Sequence, residues 1–199
     1  MLSNDERTKT KYVSIFNSTF TIRTNEGTEG AVERTTKSGK KVWEFHYSRL
    51  EGTIERISKD ETEWEGKKIV SWAVSMYDEF EKFILKLSYS SREAKSLIAT
   101  LPNIDIELPV ALAVGQYKGD DGKDRPYLTV YQNGTKVAKF YGKDNLPPMN
   151  KIKVKGIDIW DDPAQMEILE NVVVAKFPAQ KVDVEVVDEP EGENDGLPF

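Results

Sequence analysis

The chain has 199 residues, a formal net charge of −6, no cysteine and a single histidine. The absence of cysteine excludes disulfides, thiolate metal sites and cysteine nucleophiles, and one imidazole is too few for most histidine metal sites. The sequence also lacks the P-loop signature of nucleotide hydrolases and any run of about 18 apolar residues that would suit a membrane helix.

The charge is distributed unevenly along the chain. Seven acids and no base follow residue 182, so residues 1–182 carry 28 bases against 27 acids. Two basic stretches, residues 34–49 and 136–155, interrupt this neutral body. Length and composition predict one globular domain over 1–182 and a disordered acidic tail over 183–199. The polar start of the sequence lacks a signal-peptide pattern, so we expect a cytoplasmic protein that does not span a membrane.

Alternating apolar and polar residues predict short strands over most of the chain. This pattern indicates an all-β protein with one or two short helices. Residues 12–36 are predicted to form an additional strand and a hairpin. A long strand is predicted over 41–58, bent at Gly52, and two further strands are predicted over 67–77 and 80–89.

The hydrophobic period changes from strand to helix after residue 89. Ser90 and Glu93 have the spacing of a capping box, and the helical pattern that follows ends at Pro102. The later predicted elements are a strand over 107–118, strands 125–132 and 135–141 joined by the hairpin turn Asn133-Gly134, a strand over 151–155 and a helix beginning at Asp162-Pro163.

Residues 41–141 therefore have the predicted order β-β-β-α-β-β. This succession resembles the OB-fold, a five-stranded barrel whose strands and loops bind single-stranded nucleic acid or sugars. We accordingly predict an OB-fold five-stranded barrel with its core over about 41–141 and an N-terminal hairpin extension.

The sequence closes with an acidic segment followed by apolar residues, EPEGENDGLPF over 189–199. This ending resembles the tip of bacterial and phage single-stranded DNA-binding proteins, which carry several aspartates and then an aliphatic residue, proline and phenylalanine. The resemblance implies a non-enzymatic protein of DNA replication or recombination that binds single-stranded DNA without sequence preference and needs no cofactor or metal. It also implies that replication or recombination partners bind the tail through Asp195, Leu197, Pro198 and Phe199.

The tail departs from the family pattern at two positions. Asn194 and Gly196 stand where aspartates are usual, and the long linker of the bacterial proteins is missing. These features are closer to the phage-encoded branch, whose members work in the cytoplasm of the bacterial host. A homo-oligomer is one of the assemblies that the sequence leaves open.

Two strands carry the residue types that single-strand binding requires, aromatic rings for bases and cations for phosphates. On one strand Trp43, Phe45, Tyr47 and Arg49 share a face, and of these we assign Phe45 to the core. The other presents aromatic residues opposite Leu128 and Val130, the expected core residues. The candidate DNA-binding residues are Lys40, Lys41, Trp43, Tyr47, Arg49, Trp64, Lys67, Lys68, Arg125, Tyr127, Tyr131, Lys136, Lys139 and Tyr141.

Two other functions remain open at this point. A β-rich module could bind carbohydrate or protein, with its aromatic residues stacked on sugars and no nucleic-acid role. A metal-dependent nuclease could use carboxylates as its only catalytic side chains, but the acidic residues of this sequence lack a spacing that is recognisable as such a site. We assign Trp72 to the core, give His46 no chemical role, and place Asp120, Asp121 and Asp124 at a hairpin tip.

Overall fold

We describe a computed structural model of the chain, in which the described residues are 10–36, 38–64, 66–119, 122–142, 144–154 and 157–178. Its strands are β1 (Thr10–Phe16), β2 (Thr19–Thr24), β3 (Val32–Thr35), β4 (Lys41–Tyr47), β5 (Arg49–Trp64), β6 (Lys67–Tyr77), β7 (Lys82–Ser88), β8 (Val110–Lys118), β9 (Asp124–Gln132), β10 (Thr135–Lys136), β11 (Asn150–Val154) and β12 (Ile157–Asp161). Its helices are α1 (Arg92–Thr100), followed by a 3-10 turn, and α2 (Pro163–Lys176). The prediction of an all-β protein with one or two short helices is confirmed, and the structure has two.

Ten strands form one sheet in the order β10-β9-β8-β5-β6-β7-β1-β2-β4-β3, and β11 and β12 pair separately. The pairing of β1 with β7 is parallel, and the other pairings in this sheet are antiparallel. The order β5, β6, β7, α1, β8, β9 along the chain matches the predicted succession. Within the part of the chain that is described, no ladder joins β7 to β9, so the closed five-stranded barrel stays a prediction.

Strand β5 belongs to both halves of the sheet. Residues Arg49 to Gly52 pair with β8, and pairing with β6 starts at Thr53. A Cβ atom at Gly52 would lie 2.6 Å from the carbonyl oxygen of Tyr77. Only glycine avoids this clash. Gly52, where a bend was predicted, is therefore the position at which β5 passes from β8 to β6.

The predicted long strand over 41–58 is interrupted at Ser48, and this part of the prediction was wrong. Strand β4 pairs with β2 and β3, whereas β5 pairs with β8 and β6. The chain must change direction between two sets of partners. Strand alternation cannot reveal this change, because both segments have the same period of two.

Strands β1, β2 and β3 occupy the region 12–36, where an additional strand and a hairpin were predicted. Asn17 and Ser18 join β1 to β2 with φ angles of 47° and 59°. Two consecutive positive φ values are typical of the type I′ turn, whose twist matches that of the paired strands. The predicted additional strand and hairpin are therefore confirmed.

The core lies between the sheet and the two helices. Trp72 is 2% exposed, stacks on Tyr89 with ring centroids 5.6 Å apart, and donates its indole N–H to the Tyr89 carbonyl oxygen at 3.0 Å. The prediction that Trp72 is a core residue is confirmed. The residues with exposure of 1% or less are Val13, Phe20, Val74, Met76, Leu85, Ala94, Leu97, Ile98, Leu101, Leu112, Val130 and Leu169.

Helix α1 begins one residue later than predicted. The Ser91 Oγ, and not that of Ser90, accepts the N–H of Ala94 at 3.1 Å. The Ser91 N–H itself donates to the Ser88 carbonyl, so the chain is still turning out of β7 at Ser90. Helix α2 starts at Pro163 as predicted, but the Asp162 carboxylate pairs with Lys95 and makes no capping hydrogen bond.

Strand β10 is much shorter than the predicted 135–141. The turn Asn133-Gly134 is present, but the ladder with β9 ends at Lys136 and is followed by one further hydrogen bond, from the Val137 N–H to the Val130 carbonyl at 2.9 Å. The N–H groups of Phe140 and Tyr141 donate to the Ala99 carbonyl at 2.9 and 3.1 Å. The chain after β10 therefore makes hydrogen bonds to the Ala99 carbonyl in the last turn of α1 and not to β9.

No helix in the described ranges is both long enough and apolar enough to cross a bilayer. The predicted tail over 183–199 lies outside the described residues, and so do Asp120 and Asp121. Asp124 begins β9 and pairs with Lys118 at 2.7 Å.

Candidate functional site

Strand β9 has one buried side and one outer side. Leu128 and Val130 are 2% and 1% exposed, as predicted for core residues. Arg125, Tyr127 and Tyr131 alternate with them and lie on the outer side of the strand. Tyr127 is 41% exposed, so its ring is accessible from solvent.

Strand β8 places small residues beside this outer side. In the register, Ala111, Ala113 and Gly115 lie opposite Tyr131, Thr129 and Tyr127. Because these side chains project little above the backbone of β8, long side chains from both neighbouring strands can extend over it. The Tyr127 ring does this above Gly115, where a Cβ atom would lie 2.5 Å from the Tyr127 hydroxyl.

Arg49 reaches the same face from the other side of β8. It lies opposite Ala113 in the register, and its guanidinium carbon is 5.1 Å from the centre of the Tyr131 ring. This is a cation–π contact. The guanidinium is also 3.8 Å from the Glu51 carboxylate. The structure thus joins two strand faces that the sequence analysis treated separately.

Sequence analysis missed one exposed ring on this face. Tyr117 is 53% exposed, and its ring centroid is 6.2 Å from that of Tyr127 at an interplanar angle of 42°. A signal was present, because Val110, Leu112 and Val114 alternate toward the core and leave Tyr117 on the outer side. We call the set Arg49, Tyr117, Tyr127 and Tyr131 the tyrosine face.

A groove of about 500 Å³ runs along the free edge of β9. Strand β10 pairs with only the last two residues of β9, so most of this edge has no neighbouring strand. Helix α1 packs beside it instead, and the Ser96 hydroxyl donates to the Leu128 carbonyl at 2.6 Å. Four of the predicted residues line it, namely Tyr127, Tyr131, Lys136 and Lys139, and the other lining side chains are aliphatic or carry a hydroxyl group. We call this cavity the lysine groove.

The two lysines of the groove have no ion-pair partner within the described part of the chain. Partial desolvation, and then the nearby charge of Lys136, lower the pKa of Lys139. Two neighbouring cations without an acid favour an anionic ligand, because such a ligand would relieve their mutual repulsion. A phosphate group has the required charge.

The predicted aromatic side of β4 is only partly buried. Trp43 and Phe45 are half-buried and Tyr47 is 44% exposed, with the rings of Phe45 and Tyr47 6.4 Å apart. The assignment of Phe45 to the core was therefore wrong. Tyr47 and Arg49 both line a second cavity of about 270 Å³, whose walls include Phe20 and Phe83.

The buried side of β4 instead carries a charged residue. Glu44 is 2% exposed and accepts two hydrogen bonds from Arg34, at 2.9 and 2.6 Å. Burial alone would raise the pKa of Glu44, but the hydrogen bonds and charge of Arg34, with smaller contributions from Arg23 and His46, lower it. Sequence alternation did not predict this, because a lone glutamate in a strand normally faces solvent.

The remaining predicted lysines lie outside the tyrosine face. Lys41 pairs with Glu33 at 2.8 Å, and Lys68 pairs with Glu61 at 2.5 Å. Lys67 and Lys68 lie opposite Trp64 and Glu63 at the far end of β5 from Arg49. Lys40 precedes β4, where its N–H donates to the Thr36 hydroxyl at 3.0 Å.

Tyr141 does not extend the outer side of β9 as predicted. Because β10 ends at Lys136, Tyr141 turns toward α1, packs partly buried against the core, and meets Phe140 edge to face at 5.0 Å. This part of the prediction was wrong.

Comparisons with protein-family models, with curated proteins and with solved structures give no match. Within the described ranges, no group of three or more His, Asp or Glu side chains is arranged to hold a metal ion. The candidate site is therefore defined by its own geometry, namely the tyrosine face and the adjoining lysine groove.

Proposed function

We propose that this protein binds single-stranded DNA without sequence preference and acts in DNA replication or recombination. The observation that carries the proposal is the meeting of Arg49, Tyr131 and Tyr127 on one outer face beside Lys136 and Lys139. Rings accept any base by stacking, and cations follow the phosphates. This combination is what sequence-independent binding of a single strand requires.

Strand connectivity supports the same function. An OB-fold has a long first strand shared between two halves of its sheet and a helix after its third strand. If β5 is counted as the first strand, β5 and α1 have these two positions, and this supports the proposal. We propose that β5 to β9 are an OB-fold barrel with β1 to β4 as an extension. OB-folds bind oligonucleotides or oligosaccharides through their strands and loops.

The exposed rings favour a single strand over a duplex. Bases in a duplex are stacked on one another, so their faces are hidden from side chains on a protein surface. Each base that stacks on a ring contributes about 1–3 kcal/mol. A duplex keeps the phosphate contacts of the lysine groove and loses the stacking, so we expect it to bind more weakly.

Partner recruitment is the second part of the proposal. The acidic segment that contains Asp195, Leu197, Pro198 and Phe199 would bind replication or recombination proteins, with apolar side chains in a pocket and acids against a basic rim. The support for this is the resemblance of the segment to the tips of single-stranded DNA-binding proteins.

The test is fluorescence anisotropy of labelled oligo-dT titrated with the full chain at several salt concentrations, beside a duplex of equal length. We expect salt-sensitive binding that strongly prefers the single strand. A variant lacking residues 188–199 is titrated in parallel, because the acidic segment could compete with DNA for the same cations. Absence of binding by both proteins would overturn the proposal.

Two outcomes would replace it with another function. Salt-insensitive binding of an oligosaccharide, with no binding of oligo-dT, would favour a carbohydrate module that stacks sugars on the same rings. Magnesium-dependent loss of intact oligonucleotide would favour a nuclease.

A further inference from the structure

We propose that Tyr117 and Tyr127 form a stacking seat for one nucleobase and that Gly115 is the positioning residue of this seat. The proposal rests on the proposed function and assigns it a specific subsite. Tyr117 and Gly115 are neighbours on the outer side of β8, and Tyr127 faces them from β9.

Gly115 is needed for space and not for backbone conformation. Its φ lies outside the left-handed region, so an L side chain would suit the backbone. A Cβ atom there would lie 2.5 Å from the Tyr127 hydroxyl oxygen and 2.6 Å from its Cζ. The missing side chain is therefore what lets the ring lie on the strand.

Tyr117 supports the ring from the side. The two centroids are 6.2 Å apart, and the rings are tilted by 42°. Both rings remain accessible, at 53% and 41% exposure. A ring held by the strand below and by a second ring beside it loses less freedom when a base docks, so more of the stacking energy appears as affinity.

The seat has a thermodynamic signature that separates it from the lysine groove. Stacking of a base on a ring involves no release of counterions, whereas a phosphate contact does. Disturbing the seat should weaken binding equally at all salt concentrations. Disturbing the groove should change the salt dependence.

The test compares Gly115→Ala with Gly142→Ala in the full chain. At Gly142 a Cβ atom would meet nothing within 4 Å, and its φ also lies outside the left-handed region, so it is a matched control. We expect Gly115→Ala to weaken oligo-dT binding about 5- to 150-fold, the range of one stacking contact, with an unchanged slope of log affinity against log salt. Gly142→Ala should bind like the wild type.

A double-mutant cycle shows whether Gly115 acts through the ring. The added methyl group meets the far end of the Tyr127 side chain, so once Tyr127 is alanine it has nothing to displace. We expect Gly115→Ala to have no further effect in the Tyr127→Ala background. Additive effects would overturn the positioning role.

Tyr117 gives an independent test if Gly115→Ala lowers the thermal unfolding temperature. Tyr117→Phe should bind normally, because it keeps the ring, and Tyr117→Ala should weaken binding at constant salt slope. If the wild type binds oligo-dT and neither Gly115→Ala nor Tyr117→Ala weakens binding, the stacking seat is overturned but the proposed function is not. Failure of the wild type and of the variant lacking 188–199 to bind would overturn the proposed function and the seat together.

Discussion

Replacement of Lys136 and Lys139 by methionine removes both cations of the lysine groove while keeping the length of each side chain. If each lysine neutralises one phosphate, the double variant releases fewer counterions on binding. We therefore expect weaker binding of oligo-dT and a shallower dependence of affinity on salt.

The size of the effect follows from the two groove lysines, which have no acidic partner among the described residues. Each neutralised phosphate of a single strand contributes about 0.7 to the slope of log affinity against log salt, so two contribute about 1.4. Between 50 and 200 mM salt, a slope of that size corresponds to about a sevenfold change in affinity. Lys41 and Lys68 already pair with Glu33 and Glu61, so we expect a smaller slope change when they are replaced.

The lowered pKa of Lys139 adds a dependence on pH. As pH rises, Lys139 loses its proton before an ordinary lysine does, because desolvation and Lys136 disfavour its charged form. A bound phosphate favours the charged form, so binding should take up protons in this pH range. The wild-type salt slope should therefore decrease at alkaline pH, and the slope of Lys139→Met should change less.

The assay is anisotropy of labelled oligo-dT over a series of KCl concentrations. The control is the double variant Lys11→Met with Lys82→Met, which changes the net charge by the same amount. These two lysines lie on β1 and β7 and pair with Glu81 and Glu55, respectively. An equal slope reduction in the control would show that overall charge, and not the groove, determines the salt dependence. An unchanged slope in the groove variant would refute phosphate binding there.

Three further results are expected. Tyr127→Ala with Tyr131→Ala should weaken oligo-dT binding by about 2–6 kcal/mol, with an unfolding midpoint in urea close to that of the wild type, because both rings lie outside the core. Deletion of residues 188–199 should tighten oligo-dT binding and abolish capture of a replication partner on a column of the immobilised protein; unchanged affinity would exclude competition between the tail and DNA. Arg34→Met should lower the free energy of unfolding at pH 7 by about 3 kcal/mol, measured in urea, because it leaves the buried Glu44 charge without its main partner. Because the folded-state pKa of Glu44 is lowered, the wild-type advantage is present above the ordinary carboxyl pKa and should disappear as pH falls through the lowered value.

Local patterns predicted the strands and turns well where a single period or a turn dipeptide determines the conformation. Strand β6 spans Lys67–Tyr77, the same bounds as predicted, and Leu128 and Val130 lie on the buried side of β9. Predictions failed where distant groups compete for the chain. The Ala99 carbonyl ends β10 early, and Arg34 allows Glu44 to be buried.

For the candidate site, the sequence by itself determined which side chains share a face of one strand, because alternation is a property of the local backbone. It indicated Tyr127 and Tyr131 as one set and Arg49 as another, with no relation between them. Only the tertiary structure decided that β8, with its small outer residues, lies between β5 and β9 and lets Arg49 meet Tyr131. The physical reason is that strand neighbours and register depend on long-range packing of the whole sheet, which no local period contains.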